Sequence, residues 1–268
     1  MSGQVVGYKK LLKAYEASCR VDAKQARGSC TIIYSKNKET FALTNFHVIE
    51  RNLSYKEVFD SLLQKDVKNE YKEHVEVLFP RMSGDRVSGH STVLADIILY
   101  ERQQDIALLK FRDKNEYPYA EFYPEDTCKD VPMLSTLACI GAALGQKPIA
   151  TFGHLNGVQI EIDNFEYWMS SAPSIFGNSG GGIFVLDDEQ KWLFLGIPSR
   201  ISVVPMGFTA NAVTHMGYFI PLFRIYDWLE ENCYQFLYND EFTSEECDEM
   251  RQEKIEEDLI KLLAKKKM

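Results

Sequence analysis

The hydrophobic pattern changes period several times along the chain. Over residues 4–18, Val5, Leu11, Leu12 and Tyr15 fall on one side while Lys9, Lys10 and Lys13 lie elsewhere, which predicts a short leading helix within 1–18. From about 19 to 49 the spacing becomes that of strands, with the β-branched and aromatic runs "SCTIIYS" and "TFALTNF" separated by the polar turn "KNKE". Residues 54–73, "SYKEVFDSLLQKDVKNEYKE", return to helical spacing and read as a helix inserted between strands. Strand-like runs then resume: "HVEVLFP", "STVLADIILYE", "DIALLKF", "LACIGAAL", "VQIEIDN", "YWMSS", "GGIFVL", "WLFLGIPS" and "MGYFIP". A helix is predicted over "LFRIYDWLEENCYQFLY", and residues 240–268 are charged and helix-prone, with a sparse apolar stripe of Met250, Ile255, Leu259 and Leu262 or Leu263. Many short strands with turn residues between them predict an all-β barrel or sandwich, carrying N-terminal, inserted and C-terminal helices.

Composition narrows the function classes. The 268 residues allow one large all-β domain or two small ones, and a hydrophobic share of 45% with 26% charged residues suits a packed globular chain. A net charge of −9 offers no basic field for phosphates, so a nucleic-acid partner is not expected. No stretch approaches the roughly 18 apolar residues of a membrane span, and the first residues lack the apolar core of a secretory leader. A cytosolic protein without a membrane partner is the expectation. Cys19, Cys30, Cys128, Cys139, Cys233 and Cys247 form no C-x-x-C pair, so no metal or cofactor is signalled and free thiols are expected. The stripe on the last helix suits either a surface helix packed on its own domain or one that binds a protein partner or self-associates.

Candidate chemistry sits in "SIFGNSGGGIF", residues 174–184, where Ser179 lies among glycines. Such a run can set a hydroxyl at the tip of a tight turn and turn the N–H groups of Gly177, Asn178 and Ser179 toward one point, as a nucleophile and oxyanion hole require. Glycine, asparagine and serine also make ordinary turns, so the run alone leaves both readings open. A hydroxyl nucleophile needs a base, and the base needs a group that holds its tautomer. "FALTNFHVIE" places His47 where an apolar strand yields to a loop, and "QQDIALLKF" places Asp105 directly before a buried strand. The order histidine, aspartate, serine is that of the chymotrypsin-like solution and not of the subtilisin or α/β-hydrolase ones.

Taken together, "GSCTIIY", "FALTNFHVIE", "DIALLKF", "GNSGGGIF", "LGIPS" and "GYFIP" resemble the trypsin-like serine peptidases, especially their bacterial HtrA-like branch, over roughly residues 19–230. The resemblance implies two six-stranded β-barrels with the active site in the cleft between them, a C-terminal helical extension over 231–268 and a polypeptide substrate. Ser179 would attack the scissile carbonyl, His47 would carry the proton, Asp105 would orient His47, and backbone amides of the Gly177 to Ser179 loop would bind the oxyanion. Pro173 and Ser174 would lie near the floor of the specificity pocket, Ser199, Arg200 and Ile201 on one wall, Gly217 at the back, and His215 near the substrate. That pocket has no carboxylate, so an uncharged residue before the cleaved bond is expected, with an acidic one as second choice because of Arg200. A catalytically silent binding protein of the same fold is the alternative. His74, His90 and His154 read as structural or exposed.

The chain departs from the family pattern in places. Val48 stands where secreted members carry a cysteine, and the usual Gly-Ser-Gly reads Gly28-Ser29-Cys30. The 54–73 insertion is placed to cover the cleft, and the residues after 230 are too few for a PDZ module. In trypsin-type zymogens a freed N-terminal amine pairs with the aspartate before the catalytic serine; here that residue is Asn178, so no such latch is expected. Control is expected to act on the order of loop 173–178 through a ligand, a partner or the insertion.

Overall fold

The computed structural model describes residues 2–60, 65–206 and 209–266. The N-terminal helix, α1, spans Ser2–Ala17, buries Ala14 and Ala17, and its Tyr15 hydroxyl donates to Pro148 O at 2.9 Å. The strands that follow build two closed six-stranded barrels, as the resemblance implies.

The first barrel runs β1 (Ser18–Ala23), β2 (Ala26–Lys36), β3 (Glu39–Thr44), β8 (Ile106–Arg112), β7 (Arg86–Glu101) and β6 (Val75–Ser83), with β6 closing on β1. The "KNKE" turn joins β2 to β3 with Asn37 and Lys38 at φ 53° and 67°, the left-handed pair that a two-residue hairpin turn requires. Val21, Ile32, Ala42, Val77, Ala95 and Leu109 fill this barrel, and Cys19 and Cys30 face each other across β1 and β2 within it. Each fully buried aliphatic or aromatic side chain contributes about 1.5–3 kcal/mol.

The second barrel runs β10 (Ile149–Ile162), β11 (Phe165–Ser170), β14 (Thr209–Pro221), β13 (Trp192–Met206), β12 (Gly182–Leu186) and β9 (Thr136–Gly141), which closes on β10. Its core holds Cys139, Tyr167, Trp168, Phe184, Phe194 and Phe219. β13 and β14 extend past the run expected from sequence, pairing from Gly196↔Pro221 out to Met206↔Thr209.

Two helical expectations are corrected. The 54–73 insertion is a β-hairpin, β4 (Leu53–Asp60) and β5 (Lys65–Lys72), with residues 61–64 outside the described set. Tyr55, Val58, Phe59 and Tyr71 are exposed on it, so no core face imposes a period of two on its sequence. The helix expected over 222–238 stops early: α3 spans Leu222–Glu231. Cys233 at φ 56° donates to Glu230 O, and Tyr234 N–H donates to Leu229 O, the bonding of a Schellman stop without its usual glycine. A 3₁₀ turn follows over Gln235–Leu237.

A short α2, Phe46–Ile49, follows β3, and α4 spans Ser244–Lys266. Thr243 and Glu246 form a reciprocal capping box at the start of α4, with Thr243 N–H to Glu246 Oε2 at 2.8 Å and Glu246 N–H to Thr243 Oγ1 at 3.2 Å. Ile255, Leu259 and Ile260 of α4 are exposed. The chain divides into two compact units, 1–222 with both barrels and 223–268 with the last helices. All six cysteines are buried with free thiols, and among the described residues no helix is long and apolar enough to cross a membrane.

Candidate active site

Asp105 is placed by backbone geometry as much as by its side chain. It sits at φ 59° immediately before β8, with its N–H to Arg102 O at 3.3 Å, a left-handed conformation that costs a non-glycine residue on the order of 1–3 kcal/mol. Asn45 stabilises that turn by donating Nδ2–H to Asp105 O at 2.8 Å. The carboxylate then faces the start of α2. It accepts the His47 backbone N–H at 3.0 Å, and His47 Nδ1 lies 2.9 and 3.0 Å from its two oxygens. His47 thus stands on the first turn of a helix and not in the expected loop. Side-chain exposure is 46% for His47 and 13% for Asp105, so a shielded carboxylate holds a solvent-facing imidazole. A carboxylate on Nδ1 fixes the proton there in the neutral ring and leaves Nε2 as the basic nitrogen.

Ser199, expected on the pocket wall, also donates its hydroxyl to Asp105 Oδ2 at 2.6 Å. It reaches from the second barrel to a carboxylate on the first. Only the position of "PS" at the end of an apolar strand hinted at it; the contact is between residues 94 apart in sequence.

Ser179 lies on the loop between β11 and β12. It shares a cleft of about 420 Å³ with His47, Ser174, Ile175, Phe176, Pro198, Ser199, Arg200, Ile201 and Val203. Among the described residues no hydrogen bond joins Ser179 to His47. Such contacts commonly tighten only when substrate is bound. The N–H groups of Gly177 and Ser179 are likewise without an acceptor among the described residues. The Asn178 N–H, expected to join them, instead donates to Ile175 O at 3.0 Å. Two amides, not three, are open to an oxyanion.

The glycines around the serine make room for the protein's own backbone. A Cβ on Gly177, at φ 97°, would lie 2.4 Å from Ala142 O, and one on Gly180, at φ 86°, would lie 2.1 Å from Ser29 O. Asn178 is buried, and its side chain accepts the Ile175 N–H at 3.3 Å and donates to Cys139 Sγ at 3.5 Å. Burial pushes the Cys139 thiol up to about 11, so it meets Asn178 as a neutral group.

The remaining expected pocket residues divide. Ser174, Arg200 and Ile201 line the cleft, with Ser174 N–H held by Thr214 O at 2.8 Å. Arg200 is engaged: its guanidinium pairs with Asp163 at 2.7 Å and stacks 5.2 Å over Tyr167. A Cβ on Gly217 would lie 3.1 Å from Ser174 Cβ, placing Gly217 behind that residue. Pro173 and His215 are not among the cleft residues. The Pro173 carbonyl accepts the Thr151 hydroxyl at 2.7 Å, and His215 Nδ1 lies 3.2 Å from Ser171 O. Sequence reading missed Ile175, Phe176, Pro198 and Val203; the signal for Phe176 was a large apolar residue in a glycine-rich loop, and it is 65% exposed.

Residues 28–197 match the family described as the trypsin-like peptidase domain, more than half of the chain. The chain belongs to that family. Among solved structures, this trypsin-like domain is similar to the HtrA-type protease AlgW with a tripeptide, at 16% identity and a TM-score of 0.59, covering 85% of this chain and 64% of that one. It is also similar to a serine endoprotease from Yersinia pestis, at 17% identity and a TM-score of 0.55, covering 84% of this chain and 65% of that one. At these identities the likeness shows the fold, and the chain spans less than two thirds of either structure. A comparison with curated proteins finds no match.

Substituting Gly180 tests the packing of this loop. Gly180→Ala sets a methyl against Ser29 O at a positive φ, and is expected to cost about 1–3 kcal/mol or more and to lower Tm. A variant that melts with the parent would show that β2 yields freely there.

Proposed function

We propose that this chain is a serine endopeptidase whose nucleophile is Ser179, whose general base is His47 and whose orienting carboxylate is Asp105. The observation that carries the reading is the pairing of His47 Nδ1 with a shielded Asp105 on the cleft that holds Ser179, next to two amides without acceptors. In the reaction Ser179 Oγ bonds to the scissile carbonyl carbon as its proton passes to His47 Nε2. The carbonyl oxygen, now negative, is received by the N–H groups of Gly177 and Ser179. The imidazolium is stabilised by Asp105 and returns its proton to the leaving amine, and water repeats the cycle on the acyl-enzyme. Ser199 keeps one Asp105 oxygen occupied and so restricts how the carboxylate can turn. No feature of the site favours the silent alternative, since each of the three side chains is kept in a bonded or cleft-facing position.

The cleft supports an apolar specificity. Ile175, Phe176, Pro198, Ile201 and Val203 supply its walls, no carboxylate lines it, and Arg200 is already paired with Asp163. An acidic preference therefore loses its support, and cleavage after uncharged, apolar residues gains it. Self-association through α4 belongs to the same proposal, supported by the exposed Ile255 and Leu259 four residues apart on one helix face.

Four measurements test these readings. Ser179→Ala and His47→Ala should each reduce kcat by on the order of 10⁶-fold with the circular dichroism of the parent. The parent, and not Ser179→Ala, should take up a fluorophosphonate; a variant at Ser179 with parental activity removes the assignment. A peptide library should show cleavage after apolar residues, and dominant cleavage after Lys, Arg, Asp or Glu would contradict the pocket reading. Sedimentation velocity should show an assembly that is lost on deletion of residues 241–268, and a monomer at every concentration refutes the role given to α4.

A further inference from the structure

Ser29 is a residue for which the peptidase reading has so far required no part. It lies on β2 of the first barrel, fully buried, and its N–H and hydroxyl are spent on the region around the nucleophile. Its N–H donates to Ser179 O at 2.8 Å. Its hydroxyl donates to Gly177 O at 2.7 Å and accepts the Ala142 N–H at 2.7 Å. Its own carbonyl accepts the Thr44 hydroxyl at 2.7 Å, which holds it to the end of β3, two residues before α2 begins.

We infer that Ser29 is the positioning residue of the oxyanion hole. The inference rests on the peptidase reading above and deepens it. The two residues that offer free amides, Gly177 and Ser179, are the two whose carbonyls Ser29 holds. The Gly177 amide itself belongs to the peptide after Phe176, whose carbonyl accepts the Leu144 N–H at 2.6 Å. Leu144 sits at φ 55° in the turn that begins at Ala142, and the Ser29 hydroxyl holds that turn by the Ala142 N–H. One hydroxyl therefore fixes both sides of the Gly177 amide: the carbonyl that follows it and the turn that braces the peptide before it. Removing the hydroxyl leaves a carbonyl and an N–H without their partner, and the least costly response is rotation of the loop peptides toward new ones. Such rotation moves the amides away from the point where charge develops. Ser29 is not among the residues that line the cleft, so it makes no contact of its own with bound substrate there.

The test is Ser29→Ala in the full chain, read against a peptide substrate and a peptide boronic acid, whose tetrahedral adduct with Ser179 sets an oxygen at the two amides. The expected result is kcat lowered about 10²-fold with KM unchanged, and boronate affinity lowered in parallel. Ser29→Cys, which keeps a weak donor and acceptor, should fall between parent and alanine variant, and serves alone if the alanine variant does not fold. Parental kcat in either variant, or kcat and KM changing together while boronate affinity holds, overturns the role of Ser29. A parent that neither hydrolyses peptides nor takes up fluorophosphonate at Ser179 refutes the peptidase reading itself, which separates the two failures.

Discussion

The groups proposed for catalysis belong to two barrels that close independently, so the site depends on how those barrels are registered against each other. His47 and Asp105 come from the first, Ser179 and its amides from the second. Each barrel satisfies its own strands and buries its own core, and neither closure specifies where the other must sit. Polar bonds across the junction help to set that registration, among them Ser29 N–H to Ser179 O at 2.8 Å, Ser29 Oγ to Gly177 O at 2.7 Å, Ala142 N–H to Ser29 Oγ at 2.7 Å and Ser199 Oγ to Asp105 Oδ2 at 2.6 Å. These are short and buried or partly buried, and a buried hydrogen bond left unmade costs about 1–3 kcal/mol for each group left over. A sliding of one barrel on the other breaks several at once, so the arrangement is held cooperatively.

That registration explains the glycine run. Two backbones can approach closely enough to exchange hydrogen bonds only where no side chain separates them. Gly180 meets Ser29 O, Gly177 meets the Ala142–Gly145 turn, and a Cβ on Gly181 would lie 2.3 Å from Ile140 O. The space that the glycines leave is occupied by β2, β9 and the turn after β9. The consequence for catalysis is rigidity, since amides fixed before substrate arrives need no reorganisation as charge develops.

The parts of the fold legible in sequence are those where a buried face imposes a pattern. "TFALT" and "IALLKF" face a core and became β3 and β8, and the "KNKE" turn carries two residue types that tolerate positive φ within a polar run. The β4–β5 hairpin reads as a helix in sequence because it is mostly solvent-facing, leaving chance i, i+3 and i, i+4 coincidences among Tyr55, Val58 and Phe59. The early end of α3 was missed because its stop uses Cys233 where glycine is the usual signal. His47, Asp105 and Ser179 stood out as residue types in recognisable settings. Ser199 and Ser29 did not, because a lone serine acquires meaning only from a partner that the topology brings to it.

Asn178 shows how the same constraints bear on control. An ammonium entering this site would lose its hydration, and only a nearby negative charge offsets a loss of that size. Asn178 is neutral, and each of its polar atoms already has a partner: Oδ1 with Ile175 N–H, Nδ2 with Cys139 Sγ, its N–H with Ile175 O and its carbonyl with Gly181 N–H. The carboxamide thus braces from within the loop what an ion pair would brace from outside. Asn178 thus holds the base of the loop and Ser29 its outer peptides, all with neutral groups. The loop is therefore held at three places: the Ser29 junction, the Asn178 side chain and the Ala142–Gly145 turn. They differ in their surroundings: Leu144 of the turn stands exposed at positive φ, whereas Ser29 is buried between the barrels.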